Sequence, residues 1–389
     1  MTRAAVQIAL DEPQPVMRYT GHVTYIYAFD IAYELARKPI ATLLGQPVAQ
    51  FQIDSNKRAP RQLFFHRPHM VRLPPLERIG PQGPIRIEPQ VKIFSIGGIS
   101  ITVRVPFDVG SITELVDYHD MVFTNGLSLH DEVLSLAEEV RRDLAAYLIR
   151  PVERLAPEEA YTVFCITSPL NTAAGVRVAT EDWLDANRRQ VAALLTEERD
   201  ISHLSDQESD ETTSRYLSYY DHDLVVVDWD AALIIDENRY IDEMVYLMEL
   251  ANLQLAELEA YDGLLDGVID RSYRDVSASD HIQGMRRWTG RKTLSDLREL
   301  RIDLARLSDE LSNITKFFGD WHLARIYQAL ATRFHLADWH KTTDEKLKTL
   351  DDLYQLLQAD RNNRYMLILE ITIVLLFVID LLILLRSMH

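Results

Sequence analysis

The sequence is almost without cysteine. Cys165 stands alone among 389 residues, so no internal disulfide can form and nothing calls for an oxidising compartment. Lysine is scarce too: eight lysines against 33 arginines hint at a GC-rich bacterial genome. The first residues lack the pattern of a secretory signal, because Met1 to Leu10 is short and weakly apolar and Asp11 and Glu12 follow at once. Also missing are a G-x-S-x-G elbow, a zinc-finger spacing and a dinucleotide fingerprint. The nearest imitation of a phosphate loop, Gly284 to Thr293 (GMRRWTGRKT), has five residues between its glycines and no adjacent Gly-Lys pair. No catalytic residue, cofactor or metal ligand is assigned on these grounds.

What is present is mostly acid. The net charge of -18 repels a phosphate backbone unless the basic residues are gathered in one place. They are partly gathered: from Phe51 to Arg104 nine basic residues stand against three acidic ones, with Lys57, Arg58, Arg61, Arg67 and Arg72 as a candidate patch for an anionic partner. RNA or the ribosome is one such partner, and anionic lipid headgroups are another. His66 and His69 lack a third nearby ligand, so they read as surface histidines. Asp221, Asp223, Asp228 and Asp230 flank a strand and offer carboxylate oxygens to a hard cation, the basis of a metal-dependent hydrolase as an alternative.

The strongest hydropathy signal is Met366 to Leu385, MLILEITIVLLFVIDLLILL, 20 residues interrupted by Glu370 and Asp380. As a helix it would be about 30 Å long, one hydrocarbon thickness. Its apolar residues favour insertion by roughly 5 to 10 kcal/mol, against a cost of at most about 5 to 7 for the two acids. This predicts a tail-anchored, single-pass protein at the cytoplasmic membrane, with its N-terminal bulk in the cytosol and lipid as a partner. Glu370 and Asp380 then face an oligomer interface, or a pore in the alternative of a CorA-like channel subunit.

Ahead of that segment the periodicity changes along the chain. Gly21 to Phe29 and Tyr161 to Thr167 read as strands, and Val91 to Val105 as a hairpin turning at Gly97-Gly98. The proline-rich Ala59 to Pro89 reads as a sheet edge or excursion. Leu129 to Ile149 and Glu181 to Glu197 read as helices, Ile201 to Thr213 as an acidic loop, and Leu224 to Ile235 as a second hairpin. A long helix follows from Met244, loosened by Gly263 and Gly267. Leu297, Leu300, Leu304, Leu307, Leu311 and Ile314 form a heptad seam, which predicts self-association into a homo-oligomer. The expected fold is α+β: a mixed α/β domain at 1–236, a coiled-coil-like helical stalk at 237–364 and a transmembrane helix at 365–386.

The C-terminal run from Phe317 to Leu385 also resembles the end of the YagE / required-for-meiotic-nuclear-division family. The matching positions are Trp321, Leu323, Tyr327, Arg364, Leu369, Glu370 and Asp380, and the strand-hairpin region at Phe94 to Val105 is similar more loosely. The resemblance implies a distant bacterial member, a membrane-anchored, oligomeric protein with no established enzymatic activity. Together these readings predict a non-enzymatic oligomeric scaffold or tether.

Overall fold

The computed structural model describes residues 18–51, 68–279, 302 and 321–387, apart from 81–82, 125, 153–154, 156–157 and 172–175. Its strands are β1 (Tyr19–Asp30), β2 (Ala32–Leu35), β3 (Thr42–Leu43), β4 (Gln46–Pro47), β5 (Ala49–Gln50), β6 (His69–Arg72), β7 (Leu76–Gly80), β8 (Gly83–Ile93), β9 (Gly98–Val109), β10 (Leu148–Pro151), β11 (Glu159–Ile166), β12 (Leu224–Val227) and β13 (Ala231–Ile235). The helices are α1 (Leu129–Asp143), α2 (Thr180–Leu195), α3 (Asp206–Thr213), α4 (Asn238–Ser279), α5 (Trp321–Arg333) and α6 (Leu336–Ser387). The chain divides into two compact units, Met1–Glu257 with Glu310–Ala337, and Leu258–Asp309 with Asp338–His389.

The first unit is mixed α/β. Among the described residues nine strands form one sheet in the order β12-β13-β11-β1-β9-β8-β6-β5, with β7 joined to β8. Neighbours are antiparallel except β11 and β13, where Cys165 lies opposite Ile234 in parallel register. A parallel pair needs a crossover, and the segment holding α2 and α3 supplies it. The turn between β8 and β9 depends on Gly97: its φ is +97° and an added Cβ would fall 1.7 Å from the Ala32 carbonyl oxygen. That closeness lets the Gly97 carbonyl accept from the Ile31 and Ala32 amides, each at 3.2 Å.

Strand alternation gives the sheet two unlike faces. On one, Val23, Tyr25 and Phe29 of β1 and Ile99, Ile101 and Val103 of β9 join Val133 and Val140 of α1 and Trp183 and Val191 of α2 in an apolar core. The intervening residues on the other face include His22, Thr24, Lys92, Ser100 and Thr102, all buried. The first half of α4 covers this polar face. Gly98 permits the approach, since a Cβ there would meet Leu253 Cδ1 at 2.7 Å. Lys92 donates to the Glu249 carboxylate, and its Nζ sits 4.6 Å from the Phe51 ring centroid and 5.5 Å from that of Tyr246.

Ile201 to Thr213 differs from expectation. It forms a short 3-10 turn and then α3, whose amide at Glu208 donates to the Ser205 hydroxyl. The residues α3 buries are Ser209, Thr212 and Thr213, so no apolar period announced the helix. β1, β11, α2 and the hairpins β8–β9 and β12–β13 fall close to the predicted spans, whereas α1 stops at Asp143 and Leu148–Pro151 is a strand, and the proline-rich stretch supplies β6, β7 and the start of β8, which lies within the sheet. α4 continues through Gly263 and Gly267 to Ser279. In the second unit, Lys346 of α6 binds Asp262 and Asp266 of α4 at 2.7 Å each, beside buried Leu265 and Leu350.

The predicted C-terminus requires correction. Among the described residues no helix is long and apolar enough to cross a membrane. The charge-free run between Glu370 and Asp380 is Ile371 to Ile379, nine residues, or about 14 Å of helix against a hydrocarbon core of roughly 30 Å. The fold class with a transmembrane end at 365–386, the tail anchor, the lipid partner and the single-pass placement at the cytoplasmic membrane are therefore withdrawn.

Candidate anion-binding cleft

The described part of the first unit contains a cleft of about 280 Å³ between α5 and the β12 margin of the sheet. One wall is a stripe of α5, Arg325, Gln328, Ala329, Thr332 and Arg333. Spacings of three and four residues place 325, 328, 329 and 332 on one helix face. The opposite stripe, Leu323, Ile326, Tyr327 and Leu330, is buried, so burial of the apolar side turns the polar side outward. The second wall is Arg215, Leu217 and Val227. Leu217 and Val225 exchange amide hydrogen bonds of 2.8 Å both ways, which lays the segment alongside β12.

Three contacts fix α5 in place. The Phe334 ring meets Tyr161 edge to face at 5.2 Å, and the Tyr327 hydroxyl donates to Gln254 Oε1. Arg333 Nη2 donates to the Glu211 carbonyl at 3.0 Å, while its Nη1 lies 3.6 Å from Asp228 Oδ1 and 3.9 Å from Glu211 Oε1. Burial raises the Asp228 carboxyl pKa above the usual range, and the Arg333 guanidinium opposes that rise. The Tyr161 hydroxyl shares its proton between the Asp228 and Ala231 carbonyls, each 3.0 Å away, so the β12–β13 turn is anchored from below.

The charges in the cleft do not cancel. Arg333 is the arginine held by acids, and even its buried Nε has no partner. Arg215 and Arg325 are exposed and make no ion pair among the described residues. Guanidinium groups present planar donor forks that match carboxylate and phosphate oxygens. In a chain of net charge -18, three of them around one small cavity make it a candidate anion site.

None of the sites predicted from sequence coincides with this cleft. Lys57, Arg58, Arg61 and Arg67 lie outside the described residues, and Arg72 is exposed on β6. Other cations of the basic segment are engaged by acids of the same chain: Arg78 with Glu132 at 2.8 Å, Arg104 with Asp242 at 2.7 Å, and Lys92 with Glu249. The seam residues Leu297, Leu300, Leu304, Leu307, Leu311 and Ile314, and Gly284 to Thr293, are outside the described residues as well. Glu370 and Asp380 are exposed on α6. Of the four aspartates, Asp223 Oδ1 accepts from the Tyr219 and Tyr220 amides at 2.7 and 3.1 Å. Asp228 faces Arg333, and Asp221 and Asp230 are exposed. Among the described residues no three His, Cys, Asp or Glu side chains form a metal-holding group. The arginines of the cleft were not singled out because 110 residues separate Arg215 from Arg325. The amphipathic period of α5 was the available signal, and it does not say what its polar stripe faces.

The family described as Uncharacterized protein MJ0711, N-terminal domain, matches residues 20–241. The Uncharacterized protein MJ0711 of Methanocaldococcus jannaschii is 24% identical over 250 residues, covering 64% of this chain and 72% of that protein. No solved structure matches the chain. These findings overturn the resemblance to the YagE / required-for-meiotic-nuclear-division family, to which none of them points. That resemblance rested chiefly on residues 317–385, beyond the matched span and dominated by an apolar helical pattern that unrelated proteins share, with a looser likeness at Phe94 to Val105 inside it. The match ends at residue 241, so the Arg215 wall of the cleft lies within the family's domain and the α5 wall beyond it.

Proposed function

The chain belongs to the family of the MJ0711 N-terminal domain, and from that premise we propose that its first unit is a binding module for a small phosphate-type anion. The observation that carries this reading is the convergence of Arg215, Arg325 and Arg333 on one cleft, two of them without an acidic partner among the described residues. The volume of about 280 Å³ stands at the lower edge of the roughly 300 to 1,000 Å³ typical of small-molecule pockets and admits a phosphate group or a small phosphoester.

A thermal-shift titration with inorganic phosphate tests it. A ligand at a hundred times its Kd adds about 2.7 kcal/mol to the stability of the folded state, so the melting temperature rises with phosphate. The double variant Arg215→Ala/Arg325→Ala loses that rise. If chloride at matched ionic strength raises the melting temperature as much as phosphate does, the reading is wrong.

A second reading, a scaffold, is favoured by the large apolar side chains from Leu367 to Ile379 that stay exposed along α6. Exposed apolar surface on this scale marks interaction sites. Light scattering of the full chain beside a chain ended at Asp360 tests it, and identical profiles would remove it. Nothing among the described residues bears on the channel or hydrolase alternatives.

A further inference from the structure

The cleft does not end in bare polar surface. Val227 and Arg333 line it, and two residues beyond each of them stand Trp229 and His335, whose rings stack with centroids 4.9 Å apart and planes 23° from parallel. Trp229 remains 52% exposed although it is the largest side chain of its turn. A half-exposed indole already stacked on a histidine ring offers aromatic surface for further stacking. Its backbone position is also fixed. Tyr161 holds the Asp228 and Ala231 carbonyls on either side of it, and His335 follows directly on Phe334, which is buried against Tyr161. Trp229 therefore follows β12, and His335 follows the helix that carries Arg325 and Arg333.

Arg333 lies 3.6 Å from Asp228, and Trp229 follows Asp228 directly, so the exposed indole stands next to the arginine cluster. Trp229 is not among the residues that line the cavity, so a base stacked on it would lie outside, over the indole. We propose that the cleft takes a nucleoside phosphate, with the phosphate among Arg215, Arg325 and Arg333 and the base stacked on Trp229. This inference rests on the anion-binding reading above and adds the base.

Calorimetric titration of the full chain with adenosine 5′-monophosphate, adenosine and inorganic phosphate separates the two claims. Adenosine 5′-monophosphate is expected to bind about tenfold more tightly than phosphate, within the range that stacking of one base on an aromatic side chain supplies. Trp229→Ala is expected to remove that advantage and leave phosphate affinity unchanged, while Trp229→Phe keeps most of it. Because Trp229 is exposed, both variants should fold, and their far-ultraviolet circular dichroism would verify this. If adenosine 5′-monophosphate and phosphate bind equally, or if Trp229→Ala does not alter the difference, the base platform is overturned and the anion cleft stands. If neither phosphate compound binds, the cleft reading falls and takes this inference with it.

Discussion

Two places in the first unit bring cations against the sheet, and they treat charge in opposite ways. Under α4, Lys92 and Glu249 are 6% and 0% exposed and neutralise each other beside the Phe51 and Tyr246 rings. At the β12 margin, Arg215 and Arg325 stay exposed without an acid among the described residues, whereas Arg333 is matched. A sealed pair has its electrostatic energy spent inside the protein. An open cluster of like charge keeps its field for something that arrives from solution. The difference separates a structural ion pair from a recognition site without any knowledge of the ligand.

The largest expected effect comes from breaking the sealed pair. Lys92→Met leaves Glu249 charged with no exposure, and removal of one partner of a buried pair costs about 3 to 5 kcal/mol. Urea unfolding followed by circular dichroism measures this. The double variant Lys92→Met/Glu249→Leu should recover most of the loss, and a single variant within 1 kcal/mol of the parent would contradict the assignment. Arg333 tests the boundary between the two regimes. Arg333→Ala strands the buried Asp228 carboxylate and should cost about 3 kcal/mol, part of which Asp228→Asn returns.

A pH titration sharpens the contrast from the sealed side. Burial, with Arg104 adding to it and Asp242 opposing, holds the His22 pKa at about 4 instead of 6.5. Between those values the unfolded chain binds a proton that the folded chain refuses, so stability falls as pH is lowered through the window. The loss sums to about 3 kcal/mol at 1.36 kcal/mol per pH unit, less any opposing contribution from Asp30 and Asp236. Those two carboxyls are raised by burial to about 6, and they favour folding as pH falls from 6 toward 3.8. Comparing His22→Gln with the parent in urea at several pH values isolates the histidine, and parallel curves would refute its role. The smallest effect on stability belongs to the open site. Arg325→Ala should change unfolding by no more than about 0.5 kcal/mol while lowering phosphate affinity several-fold in calorimetry.

The elements were more legible than their arrangement. The β-branched run of β1 and the helical period of α1 follow from side-chain spacing alone. α3 was hidden because its buried face is made of Ser209, Thr212 and Thr213. The basic segment from Phe51 to Arg104 read as a candidate surface for an anionic partner, yet Lys92 within it is among the most buried charges described. Pattern reports the type of a residue, and only packing reports that Glu249, 157 positions later, will meet it. The apolar tail misled for a related reason: summed hydropathy weighed Glu370 and Asp380 as a tolerable cost, whereas they limit the uninterrupted run to nine residues.

By itself the sequence determined the single unpaired cysteine, the acidic balance, the alternation that makes one sheet face apolar, and the amphipathic stripe of α5, because each depends on composition or on neighbours a few residues apart. Tertiary structure alone decided that the polar face of the sheet would be sealed by α4 and that Arg215 would stand across a cleft from Arg325. Those outcomes depend on which distant segments pack together. Packing of that kind is driven by the burial of apolar surface elsewhere, in the core and beneath Phe334, and the polar groups are carried to their places by it.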